Sequence, residues 1–125
     1  GMDFPMIDKR LQGRPHRYAY GLHLTPGTDA YPAHPIGLLK VDHETGRTDL
    51  WASTEAAQPD EALFIPASES ASEDEGWLMS MVYNRAEDIS EVVILDAQQV
   101  ANGPIARIKM PRRVPFGFHG TWVPA

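Results

Sequence analysis

The feature that most constrains this chain is its punctuation: short runs of aromatic and β-branched residues, each stopped by proline, glycine or a polar turn, with no helix-period segment longer than one turn. Such a pattern predicts an all-β protein, because a helix needs ten or more residues of 3.6-residue apolar period to bury a face. Eleven prolines and ten glycines do most of the stopping.

Taken in order, Met2 to Pro15 reads as an extended lead-in, with Pro5, Gly13 and Pro15 preventing a helix. Residues 16–24 form a first strand, ending at the turn Thr25-Pro26-Gly27-Thr28, and 26–35 form a loop. Residues 36–42 and 46–51 make a hairpin around His43-Glu44-Thr45-Gly46, with Gly46 supplying positive φ. A polar stretch, 52–60, precedes the short apolar strand Glu61-Ala62-Leu63-Phe64-Ile65-Pro66. Residues 67–75, acidic and without aromatics, read as a solvated loop. Residues 77–83 and 90–96 are the most hydrophobic runs and form a second hairpin of central strands. Asp96 caps a single helical turn that ends at Asn102-Gly103, 104–110 is a strand of imperfect alternation, and 116–123 is the last strand. About eight antiparallel strands result, divisible into two four-stranded sheets. Their core is expected from 61–65, 77–83, 92–95 and 116–122.

Composition narrows the function. The chain has no cysteine, so any metal must be held by histidine, carboxylate or water, and a cytoplasmic location is expected. A net charge of −6 argues against nucleic-acid or anionic-membrane surfaces, and no apolar run reaches the length of a transmembrane segment. Gly1 ahead of Met2 reads as a tag scar, leaving 2–125 as a single domain.

His119 stands between Phe118 and Gly120 in the apolar C-terminal run, where an imidazole needs a hydrogen-bond partner or a metal. Gly117 and Gly120 beside it suggest kept space. A hydrogen-bonded core histidine and a metal ligand both fit these residues.

Residues 73–83, Val93-Ile94-Leu95-Asp96-Ala97 and Pro115-Phe116-Gly117-Phe118-His119-Gly120-Thr121-Trp122 resemble the C-terminal end of the carotenoid cleavage oxygenases. Asp3-Phe4-Pro5, 13–20, 37–42 and 61–66 resemble further segments of that family in the same order. The family includes lignostilbene dioxygenases, apocarotenoid oxygenases and the visual-cycle retinoid isomerase. The resemblance implies the last two blades of a seven-bladed β-propeller whose axis holds Fe(II) on four histidines, some of them oriented by carboxylates. It implies His119 as the fourth ligand, Glu61 as the carboxylate that orients His119 through its other ring nitrogen, and Asp3 as another such carboxylate position. Ala62 replaces the family's proline after Glu61, and Asp3 is one methylene shorter than the usual glutamate.

The segments that match carry only the last histidine ligand. His16, His23, His34 and His43 fall outside any ligand motif, so this chain alone is expected to bind no iron. The resemblance implies a fragment of a dioxygenase that cleaves alkene bonds of a hydrophobic carotenoid, apocarotenoid or stilbene olefin with O2, inactive by itself. The alternatives are a non-enzymatic β-domain and a small hydrophobic-ligand module. Two blades leave open flanks, so the expected partners are missing N-terminal blades or further copies in a homo-oligomer, unless the sheets close as a sandwich.

Overall fold

A computed structural model describes residues 1–27 and 34–123. The chain is all-β, with nine strands among the described residues: β1 Met2–Met6, β2 Tyr18–Leu24, β3 Pro35–Asp42, β4 Thr48–Ala52, β5 Ala57–Pro59, β6 Leu63–Pro66, β7 Gly76–Asn84, β8 Ile89–Asp96 and β9 Pro104–Lys109. Short 3₁₀ turns lie at Lys9–Leu11 and Val100–Asn102. All pairings are antiparallel and make two sheets. The first has the order β1-β2-β3-β4; in the second, β7 pairs with β5 and β6 on one side and with β8 on the other, and β9 closes the far edge.

Turn chemistry sets the hairpins. Asp42 accepts from the Glu44 and Thr45 amides at 3.0 and 3.3 Å, and Gly46 takes φ +70°, so β3 reverses into β4 within five residues. At the β7–β8 reversal Asn84 Oδ1 accepts from the amides of Ala86 and Glu87, and Asp88 adopts φ +52°. Asp96 accepts from the Gln98 amide, and Gln99 precedes the 3₁₀ turn with no side-chain cap.

One apolar cluster spans both sheets. Tyr20, Leu38 and Trp51 come from the first; Phe64, Leu78, Val82, Val93 and Leu95 from the second; Val100 closes one end. The Tyr20 and Phe64 rings stack across the junction, 5.2 Å apart and 2° from parallel. The opposite face of the second sheet is also apolar, because the register of β6, β7 and β8 lines up Leu63 with Met79, Ile94 with Met79, and Val92 with Met81.

Several expectations need correction. Residues 116–123 form no strand: Phe116, Phe118, Trp122 and Val123 are exposed and belong to no core. Pro115 lacks an amide, and the amides of Gly117 and Gly120 are taken by carboxylate side chains, so the segment joins no ladder. The lead-in contains β1, which pairs with β2 across an irregularity between Asp3 and Met6 where Phe4 takes φ +47°. The first strand begins at Tyr18, the strand expected at 61–66 begins at Leu63, and the polar stretch 52–60 contains β5. Trp77 is exposed. The central part of the expected loop 26–35 lies outside the described residues.

The acidic loop 67–75 is a brace. Glu73 Oε1 accepts from the amides of Arg17 and Tyr18 at 2.6 and 2.7 Å, and Asp74 pairs with buried Lys40 at 2.7 Å. Arg10 donates to the carbonyls of Ser68, Glu69 and Ala71 while its guanidinium is held by Asp8.

At Gly76 the chain tolerates no side chain. A Cβ there would lie 2.2 Å from the Ile65 carbonyl oxygen, a backbone atom held in the β6–β7 ladder. Gly76→Ala is therefore expected to cost about 2 kcal/mol or more and to open β6, read as faster amide exchange at Leu63 and Ile65 with β8–β9 unchanged.

Candidate functional site

β5 and β6 run along the same edge of β7 but are offset by one residue. Pro59 opposes Val82 and Leu63 opposes Met79, so Asp60, Glu61 and Ala62 face only Ser80 and Met81. That extra residue is a β-bulge. Its backbone is held on both sides: the Asp60 amide donates to the Met81 carbonyl at 2.8 Å, and the buried Ser80 hydroxyl donates to the Asp60 carbonyl at 2.8 Å.

Past the bulge Ala62 and Phe64 enter the core. Glu61 shares the other face with Leu63, and that is where the C-terminal segment lies. Glu61 Oε1 is 3.2 Å from His119 Nδ1, and Oε2 accepts from the Gly120 amide at 2.6 Å. The Glu61 side chain is only 10% exposed whereas the imidazole is 73% exposed. An ionised carboxylate only accepts, so Nδ1 is the donor in this contact, and in the neutral ring Nε2 then carries the lone pair, with no hydrogen-bond partner among the described residues.

Three further contacts fix the segment. The Phe4 ring meets the imidazole edge-on, with centroids 5.2 Å apart. Lys9 Nζ bonds the Thr121 hydroxyl. Upstream, Ser90 Oγ accepts from the Val114 amide at 2.8 Å, and the Phe116 ring packs edge-on to Tyr83. Gly120 lets the segment lie close to β6, since a Cβ would sit a tight 3.2 Å from Leu63 Cδ1, while one at Gly117 would find room.

Between the segment and the second sheet lies a cleft of about 260 Å³, with Leu63, Met79, Met81, Val92, Val114 and Phe118 on its walls and Glu61 and His119 at its rim. It is an apolar slot with one oriented imidazole.

Of the residues expected at the site, Glu61 and His119 come together. Asp3 accepts from the Phe4 amide at 2.8 Å and makes no hydrogen bond to His119; β1 brings the Phe4 ring instead. His16 packs edge-on to His43, and His34 Nδ1 is 3.1 Å from the Thr25 hydroxyl. Among the described residues, no three His, Cys, Asp or Glu side chains gather as a metal cluster. Phe4, Asp60 and Ser80 also reach the site or its strand bulge, and the one mark of them in the sequence is the pair of consecutive carboxylates Asp60-Glu61.

Fold and site together define an all-β protein of blade-like sheets that hold one imidazole by a carboxylate over an apolar cleft. The model of the retinal pigment epithelial membrane protein family matches residues 1–124, and the chain belongs to that family. It is 32% identical over 132 residues to lignostilbene-alpha,beta-dioxygenase isozyme III of Sphingomonas paucimobilis, covering 98% of this chain and 26% of that protein. It is 35% identical over 120 residues to apocarotenoid-15,15'-oxygenase of Synechocystis sp., covering 96% and 24%. Lignostilbene dioxygenase of Pseudomonas brassicacearum superposes with a TM-score of 0.90 at 32% identity, covering 99% of this chain and 27% of that one. A cobalt-substituted Synechocystis apocarotenoid oxygenase gives 0.88 at 32% identity, covering 99% and 26%. These neighbours have the propeller fold, and the two sheets correspond to blades of it. The chain spans about a quarter of the length of the curated relatives it matches.

Proposed function

We propose that this chain, as a single β-domain over residues 2–125, supplies the last two blades and the last iron ligand of a carotenoid-oxygenase-like dioxygenase that cleaves alkene bonds of carotenoid, apocarotenoid or stilbene substrates. The observation that carries this is the Glu61–His119 contact at 3.2 Å, which engages Nδ1 and leaves the Nε2 lone pair of the neutral ring free, as a ligating imidazole requires. The residues present fit one ligand of a non-haem iron. His119 would hold it through Nε2, Glu61 would keep the imidazole in the Nδ1–H form, and Asp3 would orient a ligand from elsewhere. Bound Fe(II) would supply the activation of O2 for alkene scission. The apolar cleft beside His119 suits a hydrophobic olefin.

The other ligands and the covering blades would come from further polypeptide, and the chain alone would not turn over substrate. The apolar outer face of the second sheet, which the exposed Ile108 of edge strand β9 continues opposite Val92, supports such a neighbour. The same face supports a second reading, a non-enzymatic homo-oligomer. A cytoplasmic location accords with the lack of cysteine.

Co(II) titrated into ¹⁵N-labelled chain is expected to perturb resonances around His119 and Phe4 with weak affinity. His119→Ala should abolish the effect and Glu61→Gln should weaken it. Perturbation centred on His16 and His43, or insensitive to His119→Ala, would overturn the ligand assignment. Sedimentation of the chain then separates the two readings, the second requiring a stable dimer or larger.

A further inference from the structure

Neighbouring side chains of a regular strand point to opposite faces, yet Asp60 and Glu61 both reach the same C-terminal segment. Asp60 Oδ2 accepts from the Gly117 amide at 3.4 Å, and Glu61 holds His119 and Gly120. The bulge is what makes this possible, since its extra residue breaks the alternation between Pro59 and Leu63. Ser80 stands directly across from it. Its side chain is on the core face beside Leu78 and Val82, 2% exposed, and its hydroxyl satisfies the Asp60 carbonyl that the broken ladder leaves free.

We propose that Ser80 and Asp60 are positioning residues for His119: Ser80 latches the bulge, and the latched bulge turns two consecutive carboxylates onto residues 117–120, fixing the backbone and the tautomer of the imidazole. The inference rests on the reading of His119 as a ligand only for its purpose; the positioning itself requires no metal. Asp60 serves twice, since Oδ1 also accepts from the Glu61 amide at 2.9 Å and so sets the direction in which Glu61 leaves the strand.

The test is NMR of the metal-free chain, comparing wild type, Ser80→Ala, Ser80→Thr and Asp60→Asn. Two quantities are read: the ¹⁵N shifts of the neutral His119 ring, which report the tautomer, and amide exchange at Gly120. In Ser80→Ala and Asp60→Asn the Nδ1–H form should lose its dominance and Gly120 exchange should quicken about tenfold or more, with core amides of Val93 and Leu95 unchanged. Ser80→Thr, which keeps a hydroxyl, should stay near wild type. A merely structural serine would quicken core and site amides together. Wild-type values for His119 and Gly120 in Asp60→Asn, or a change in both variants that appears only with core opening, would overturn the proposal. Should Ser80→Ala fail to fold, Asp60→Asn alone decides by the same two criteria. If Co(II) ignores His119 while these variants still loosen it, the iron reading fails and the positioning stands; the opposite pair of results fails the positioning alone.

Discussion

Replacing Phe64 by alanine is expected to destabilise the protein by about 3–5 kcal/mol, as a lower urea midpoint at nearly unchanged slope. Phe64 is 5% exposed and stacks on Tyr20, which is 1% exposed and belongs to the other sheet, so the substitution empties the junction between sheets. A domain of this size has only about 6–19 kcal/mol in total. The Tyr20 hydroxyl supplies the contrast. It is buried with no hydrogen-bond partner among the described residues, and burial, reinforced by the negative charge of Asp74 and Glu73, pushes its ionisation well above the ordinary tyrosine value. Tyr20→Phe should therefore be neutral or stabilising, because it removes an unsatisfied polar group and keeps the stack. A cost under about 1 kcal/mol for Phe64→Ala would mean the two sheets do not depend on each other.

The second large effect belongs to Asp74. Its carboxylate holds Lys40, which is 8% exposed and lies 4.2 Å from the centre of the Tyr18 ring. Asp74→Ala leaves that ammonium buried without its counter-charge and is expected to cost roughly 3 kcal/mol, whereas Lys40→Met with Asp74→Leu should recover most of it. Burial works against ionising Asp74, but the hydrogen bonds from Lys40 and Gln98 and the Lys40 charge outweigh it and hold the carboxyl below its ordinary value. The folded value is thus depressed, so the stabilisation is complete above the unfolded value of about 3.9 and is lost as pH falls through the folded one. Denaturation from pH 7 downward should show wild type losing this increment in that acid window, and Asp74→Ala lacking it throughout. Parallel acid profiles for the two proteins would show that the pair contributes nothing.

What the sequence determined by itself was local. The runs at 77–83 and 90–96 formed a hairpin because β-branched and aromatic residues suit a strand buried on one face and turn residues stop it. Gly46 supplied the positive φ of the other hairpin, and the family segments placed Glu61 opposite His119. Tertiary structure decided the rest. Nothing in residues 116–123 says that they form no strand; that followed from two carboxylates, more than fifty residues earlier, taking the amides a ladder would have used. β1 and β5 are too short to carry a period and exist because β2 and β7 offered them unpaired edges. The acidic loop reads as solvated because sequence shows charge without showing its partners, and Lys40, Arg10 and the Arg17 and Tyr18 amides come to it only when the two sheets pack. The bulge at Asp60–Ala62 is the clearest case, since a one-residue offset between two short strands is a property of their register on β7, which no single strand encodes.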